Sequence, residues 1–149
     1  MSTSTPPATQ DILVHTEAGV TTLTLNRVDK KNSLTSAMYS ALADALEQAQ
    51  ADSAVRTVLL QGDVAVFSAG SDIADFLAHP PTDQSSPLYR FLRTLAAFPK
   101  PLMAAVFGPA VGIGTTMLLH CDLVFAGDNV AFSLLFVNLG LCPEAASSL

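Results

Sequence analysis

The groups in this sequence that could do chemistry gather around two glycine-bearing segments. The first, Phe67-Ser-Ala-Gly-Ser-Asp-Ile73, sets two hydroxyls and a carboxylate about one glycine. The second, Phe107-Gly-Pro-Ala-Val-Gly-Ile-Gly114, lies between an apolar run, Leu102 to Val106, and a helical pattern carrying Met117 and Leu118. Glycine at a strand-to-helix junction lets the backbone approach a ligand closely, and the first N–H groups of a helix lack intrahelical partners. Such a junction can hold an anion or a developing oxyanion. Carboxylates after it are few: Asp122, Asp128 and Glu144. Asp128, between Gly127 and Asn129, reads as a turn residue, and Asp122 as a structural hydrogen-bonder opening a strand. Glu144 follows Pro143 at a helix start in apolar surroundings. It can complement the helix dipole or act as a base, and its local sequence favours the dipole role.

Several familiar chemistries are excluded. Gly112-Ile-Gly114-Thr-Thr-Met117 has methionine where a dinucleotide fingerprint needs its third glycine, and no Gly-Lys-Ser or Gly-Lys-Thr occurs. Ser68 and Ser71 do not sit in G-x-S-x-G. His120 and Asp122 are too close together on an apolar element to line up as base and orienter, so His120 reads as a core histidine. The scattered histidines and cysteines have no metal-ligand spacing, so no metal is expected.

The elements that must position these loops follow from periodicity. Asp11 to Thr16 and Val20 to Leu25 form a hairpin about Glu17-Ala-Gly19. Arg27 to Asn32 is a polar loop. Thr35 or Ser36 caps a helix striped by Met38, Ala41, Leu42, Ala45 and Leu46, running to about Ala51. Val55 to Gln61 is a buried strand. Asp72 caps a short helix through Leu77, His79 to Pro87 is a breaker-rich loop, and Leu88, Phe91, Leu92 and Leu95 stripe a helix stopped by Pro99. Leu123 to Ala126 and Val130 to Ser133 are short strands around the turn at Gly127-Asp-Asn129. Strands alternating with helices predict an α/β fold with a largely parallel sheet, whose ligands bind beyond the carboxyl ends of the strands.

Composition narrows the class. Half of the 149 residues are hydrophobic, 13% are charged and the net charge is −6. That fits one well-cored domain and lacks the basic footprint of a nucleic-acid binder. Met1 to Gln10 reads as a flexible arm without a signal-peptide pattern. Pro101 to Cys121 is free of Asp, Glu, Lys and Arg, but its prolines and glycines suit a buried strand–turn–helix and not a membrane span. Cys121 and Cys142 are expected to be buried free thiols in a reducing compartment.

Taken together, Phe67-Ser-Ala-Gly-Ser-Asp-Ile73, Lys100-Pro-Leu-Met-Ala-Ala-Val106 leading into Gly108-Pro-Ala-Val-Gly-Ile-Gly114, and Cys121-Asp122 resemble the crotonase (enoyl-CoA hydratase/isomerase) superfamily. Leu25-Asn-Arg-Val-Asp-Lys-Lys-Asn-Ser-Leu34 resembles its N-terminal signature. The resemblance covers about Ile12 to Leu149. It implies a ClpP/crotonase-like α/β fold of repeated ββα units, of which residues 11–149 form the N-terminal core. The C-terminal helices that pack the family's homotrimers, or dimers of trimers, would be missing, and exposed apolar surface is expected as a result. The Ser147-Ser-Leu149 ending, a faint echo of a peroxisomal address, then carries little weight.

The resemblance also implies an acyl-CoA thioester as substrate, with no cofactor beyond the coenzyme A it contains, and a cytoplasmic protein, or a peroxisomal one in a eukaryote. Carried over by position, the N–H groups of Ser71 and Ile113 would form an oxyanion hole, each donor worth roughly 2.7–4 kcal/mol. Ser68, Ala69, Gly70, Asp72, Ile73 and Gly112 would bind the acyl-CoA, and Lys31 its nucleotide end. Phe132, Leu135 and Phe136 would line the acyl pocket. The two glutamates of the family's hydratases correspond to Thr116 and Phe136, so hydration is not expected. Gly140-Leu-Cys-Pro-Glu144 resembles the Δ3,Δ2-enoyl-CoA isomerases of the peroxisomal type. That reverses the reading of Glu144, which becomes the single base that moves a proton from C2 to C4.

Overall fold

Apolar residues two apart in the early runs require a sheet with one buried face. The structure is a computed structural model describing residues 10–143 and residue 145. Its elements in chain order are β1 (Ile12–Glu17), β2 (Val20–Leu25), α1 (Ser36–Ala51), β3 (Thr57–Gln61), α2 (Ile73–Ala78), α3 (Pro87–Ala96), β4 (Leu102–Val106), β5 (Pro109–Val111), α4 (Ile113–Thr116), β6 (Leu123–Ala126) and β7 (Ala131–Ser133). Single 3-10 turns occupy Val28–Lys30, Met117–His120 and Val137–Leu139.

The main sheet has the order β1-β2-β3-β4-β6. β1 and β2 pair antiparallel as the hairpin pattern predicts, and the other strands add in parallel. The register aligns Leu23, Leu60, Ala104 and Val124 in one row. The first three are buried with Val58, Leu102 and Val106 in the core shared with α1 and α3. Each large side chain so buried contributes about 1.5–3 kcal/mol relative to exposure.

Thr35 caps α1, its hydroxyl accepting from the Met38 N–H. The expected stripe is present except that Ala41 is only partly buried, and Tyr39 and Ala49 join it. At the other end of α1 the Lys100 ammonium donates to the carbonyls of Ala49, Asp52 and Val55 at 2.7–2.8 Å. A cation there suits the negative end of the helix dipole. α3 begins with Pro87 in its first turn and buries Leu88, Phe91 and Leu95 as predicted, whereas Leu92 is only partly buried.

Some expectations about the elements need correction. The strand predicted from Val55 begins at Thr57, although Val55 is itself a core residue. Pro109 to Val111, read as part of a turn, is a strand that pairs in parallel with β7 as a second, two-stranded sheet. Cys142 is exposed, while Cys121 is partly buried and its thiol is pushed up to about 11 by burial, with the nearby Asp122 charge adding to the effect.

The expected exposed apolar surface is present. Every residue of β6 is exposed, as are Phe132, Leu134, Leu135, Val137, Leu139 and Leu141. Among the described residues no helix is long and apolar enough to cross a membrane.

Candidate active site

Three lengths of chain, far apart in sequence, run side by side beyond the carboxyl ends of β3 and β4. The middle one, Phe67 to Asp72, is laced on one edge to Lys31–Leu34. Ala69 N–H donates to the Lys31 carbonyl (2.9 Å), Leu34 N–H to that of Gly70 (2.8 Å), and Asp72 N–H to that of Leu34 (2.8 Å). On its other edge, Ser68 N–H reaches the Pro109 carbonyl (3.2 Å) and Val111 N–H that of Ser68 (2.9 Å). A parallel bridge uses the groups flanking one of its residues, so Leu34 pairs with the Gly70 carbonyl and the Asp72 N–H and leaves out the Ser71 N–H between them.

Gly70 makes this possible. Its φ of +92° turns its carbonyl to the Leu34 edge and leaves the Ser71 N–H on the opposite edge, where Ser68 pairs with Ala110. A Cβ at Gly70 would lie 2.8 Å from the Val111 carbonyl oxygen, and one at Gly114 equally close to that of Ser68. The two glycine-bearing loops are therefore in contact. Gly112 caps α4 at φ 57°, its N–H donating to the Ser133 carbonyl (2.9 Å). Ile113 opens the helix, so its N–H has no intrahelical acceptor. Among the described residues neither the Ser71 nor the Ile113 N–H has a hydrogen-bond partner.

The side chains named from sequence divide between holding the loop and facing outward. Ser68 is fully buried, donating to the Asn32 carbonyl (2.8 Å) and accepting from Gly70 N–H (3.1 Å). Asp72 caps α2 by accepting from Asp75 N–H (2.9 Å) and pairs with Arg27 at 2.8 Å. Lys31 and Ile73 are exposed at the two ends of this lacing, Ala69 is half-buried, and Phe136 is buried. Phe132 and Leu135, expected in an acyl pocket, are exposed. Thr116 is fully buried, and its hydroxyl has no partner among the described residues. Glu144 lies outside the described residues. Its neighbour Ala145 is tied to the 3-10 turn after α4, the His120 Nε2–H donating to its carbonyl at 2.8 Å. That bond, and Asp122 accepting from Leu102 N–H (2.8 Å), separate His120 from Asp122 as the sequence reading expects.

Sequence reasoning missed two residues. Asn32 looks like part of a solvated loop, yet it is fully buried. Its Oδ1 accepts from Arg27 N–H (2.7 Å), and its Nδ2 donates to the Phe67 carbonyl (3.1 Å), joining two of the three threads. Tyr39, on α1, places its phenol 2.7 Å from Ser71 Oγ. The aromatic residue on an otherwise aliphatic stripe was the only available signal.

The Asp75 N–H and the Arg27 guanidinium hold the Asp72 carboxyl below the usual carboxylate range. A lowered folded pKa gives stability that is complete above the unfolded pKa, about 4, and is lost as the pH falls through the folded value. Asp72→Asn should therefore melt below the wild-type protein at neutral pH, with the gap closing in acid. Melting temperatures at about pH 7 and about pH 3 check this.

Strand–loop–helix units with two touching glycine loops, each with one N–H that has no partner among the described residues, define a class of α/β protein. The chain belongs to the enoyl-CoA hydratase/isomerase family, whose model matches residues 15–149. It is 41% identical over 144 residues to enoyl-CoA delta isomerase 2 of Rattus norvegicus, covering 92% of this chain and 36% of that protein. Against the 1,2-epoxyphenylacetyl-CoA isomerase of Escherichia coli K12 it is 39% identical, covering 92% and 55%. The solved structure of Pseudomonas aeruginosa OdaA superposes with a TM-score of 0.92 at 59% identity, covering 95% of this chain and 57% of that one. The chain thus spans about half, or less, of the length of these relatives.

Proposed function

We propose that this chain carries the thioester-polarising half of an enoyl-CoA isomerase, which shifts a C=C bond from Δ3 to Δ2 through an enolate. The observation that carries the reading is a pair of N–H groups, Ser71 and Ile113, on touching loops and without partners among the described residues. Such donors stabilise the charge that grows on a thioester oxygen when the adjacent carbon loses a proton. Glu144 takes that proton from C2 and returns it at C4. The residues at the positions of the hydratase glutamates, Thr116 and Phe136, can serve neither as acid nor as base, which disfavours addition of water. The rat relative's name as a delta isomerase supports the same direction.

The substrate is an acyl-CoA thioester bound along Ala69 to Ile73, with Lys31 at its nucleotide end and Phe136 against the acyl chain. No separate cofactor or metal is required. The compartment is the cytoplasm, or the peroxisome in a eukaryote.

Incubation with a 3-enoyl-CoA tests the reading. The expected product is the conjugated 2-enoyl-CoA, with neither a 3-hydroxyacyl-CoA nor free coenzyme A. Free coenzyme A would point to thioester hydrolysis. Binding without conversion would support a second reading, an acyl-CoA-binding module without turnover.

A further inference from the structure

The Ser71 N–H can serve as a donor only if the peptide that carries it is held against rotation. On one edge Leu34 fixes the flanking groups, the Gly70 carbonyl and the Asp72 N–H. Gly70, immediately before Ser71, is the most permissive hinge available to the chain. A small recess of about 20 Å³ opens beside Ser71, lined also by Tyr39, Asp72 and Ser86. The Ser86 hydroxyl on its wall is buried without a partner among the described residues. What reaches the Ser71 side chain is the Tyr39 phenol, 2.7 Å from Ser71 Oγ.

Tyr39 is well built for that task. It is 4% exposed, and its ring leans on that of Phe91 with the centroids 5.6 Å apart, so its oxygen is fixed by the packing of α1 on α3. A phenol on a rigid ring spends little conformational freedom in making the bond.

We infer that Tyr39 is a positioning residue. Through Ser71 Oγ it sets the orientation of the peptide that presents the Ser71 N–H, and so tunes how strongly the site polarises a bound carbonyl. This rests on the thioester reading above and adds to it a residue outside both glycine loops.

The test is the infrared carbonyl stretch of octanoyl-CoA, a saturated thioester that cannot isomerise, labelled with ¹³C at C1 and bound to the full chain. In the wild-type protein the band should move to lower frequency on binding. Tyr39→Phe, which keeps the ring and its packing, should lose about half of that downshift or more, with affinity changed by less than about threefold. Ser71→Ala, which keeps the N–H and breaks the same bond from the other side, should match it. The double variant should be no worse than either single one, and Ser71→Thr should restore much of the effect. A full wild-type downshift in Tyr39→Phe overturns the positioning role and leaves the thioester reading intact. A wild-type protein that binds the thioester without a downshift, or fails to bind it, overturns the thioester reading itself and the positioning role with it.

Discussion

Ile113→Pro should lower turnover of a 3-enoyl-CoA by about 10²–10³-fold, the loss expected when one oxyanion-hole donor is deleted. The substitution is chosen because proline is accepted at the first helical position, where the N–H makes no helical bond and the fixed φ suits the helix. Ile113 holds that position in α4, behind a glycine that imposes no Cβ against the proline ring. The side chain is 1% exposed, so proline also removes core volume. Ile113→Val serves as the control. It trims the same side chain, costs about 0.5–1.5 kcal/mol of stability and keeps the donor, so its turnover should stay within a few-fold of wild type. Measuring kcat/KM and the melting temperature together separates the two effects. Equal activities in the proline and valine variants would show that the Ile113 N–H does no electrostatic work on the substrate.

Glu144→Ala should have an effect at least as large, about 10²–10⁴-fold on kcat, the range over which a positioned acid–base group contributes. A lone base cannot be bypassed in a shift that must remove a proton at one carbon and return it at another. KM should change little, because the carboxylate's help is given in the transition state and not in binding the coenzyme A moiety. Conversion of a 3-enoyl-CoA is the measurement. An undiminished rate in Glu144→Ala would remove this residue from the mechanism.

Much of the framework was legible because its signals are local. The α1 stripe with its Thr35 cap, the Asp72 cap on α2, the Leu88–Phe91–Leu95 face of α3 and the apolar run of β4 all lie within a few turns or pleats of sequence. The β5–β7 pair escaped because strands of three residues, one opened by Pro109, are too short for a period to register, and each exists only through the other. The pattern after Gly114 read as one helix, whereas the chain makes a single α turn and then tightens to 3-10. At the site, glycine spacing marked the two loops. It could not mark the Tyr39–Ser71 bond or the burial of Asn32, because both depend on contacts more than thirty residues away along the chain.

The lacing of Phe67–Asp72 between Lys31–Leu34 and Pro109–Val111 means that the donor pair has no rudimentary form in a partly folded chain. Each seam closes a loop of thirty or more residues, and the entropy of closing it is recovered only when both neighbours are in place. Backbone geometry of this kind forms, and is lost, together with the sheet that carries it. The melting of the sheet and the disappearance of the site should then be one event seen through two different probes.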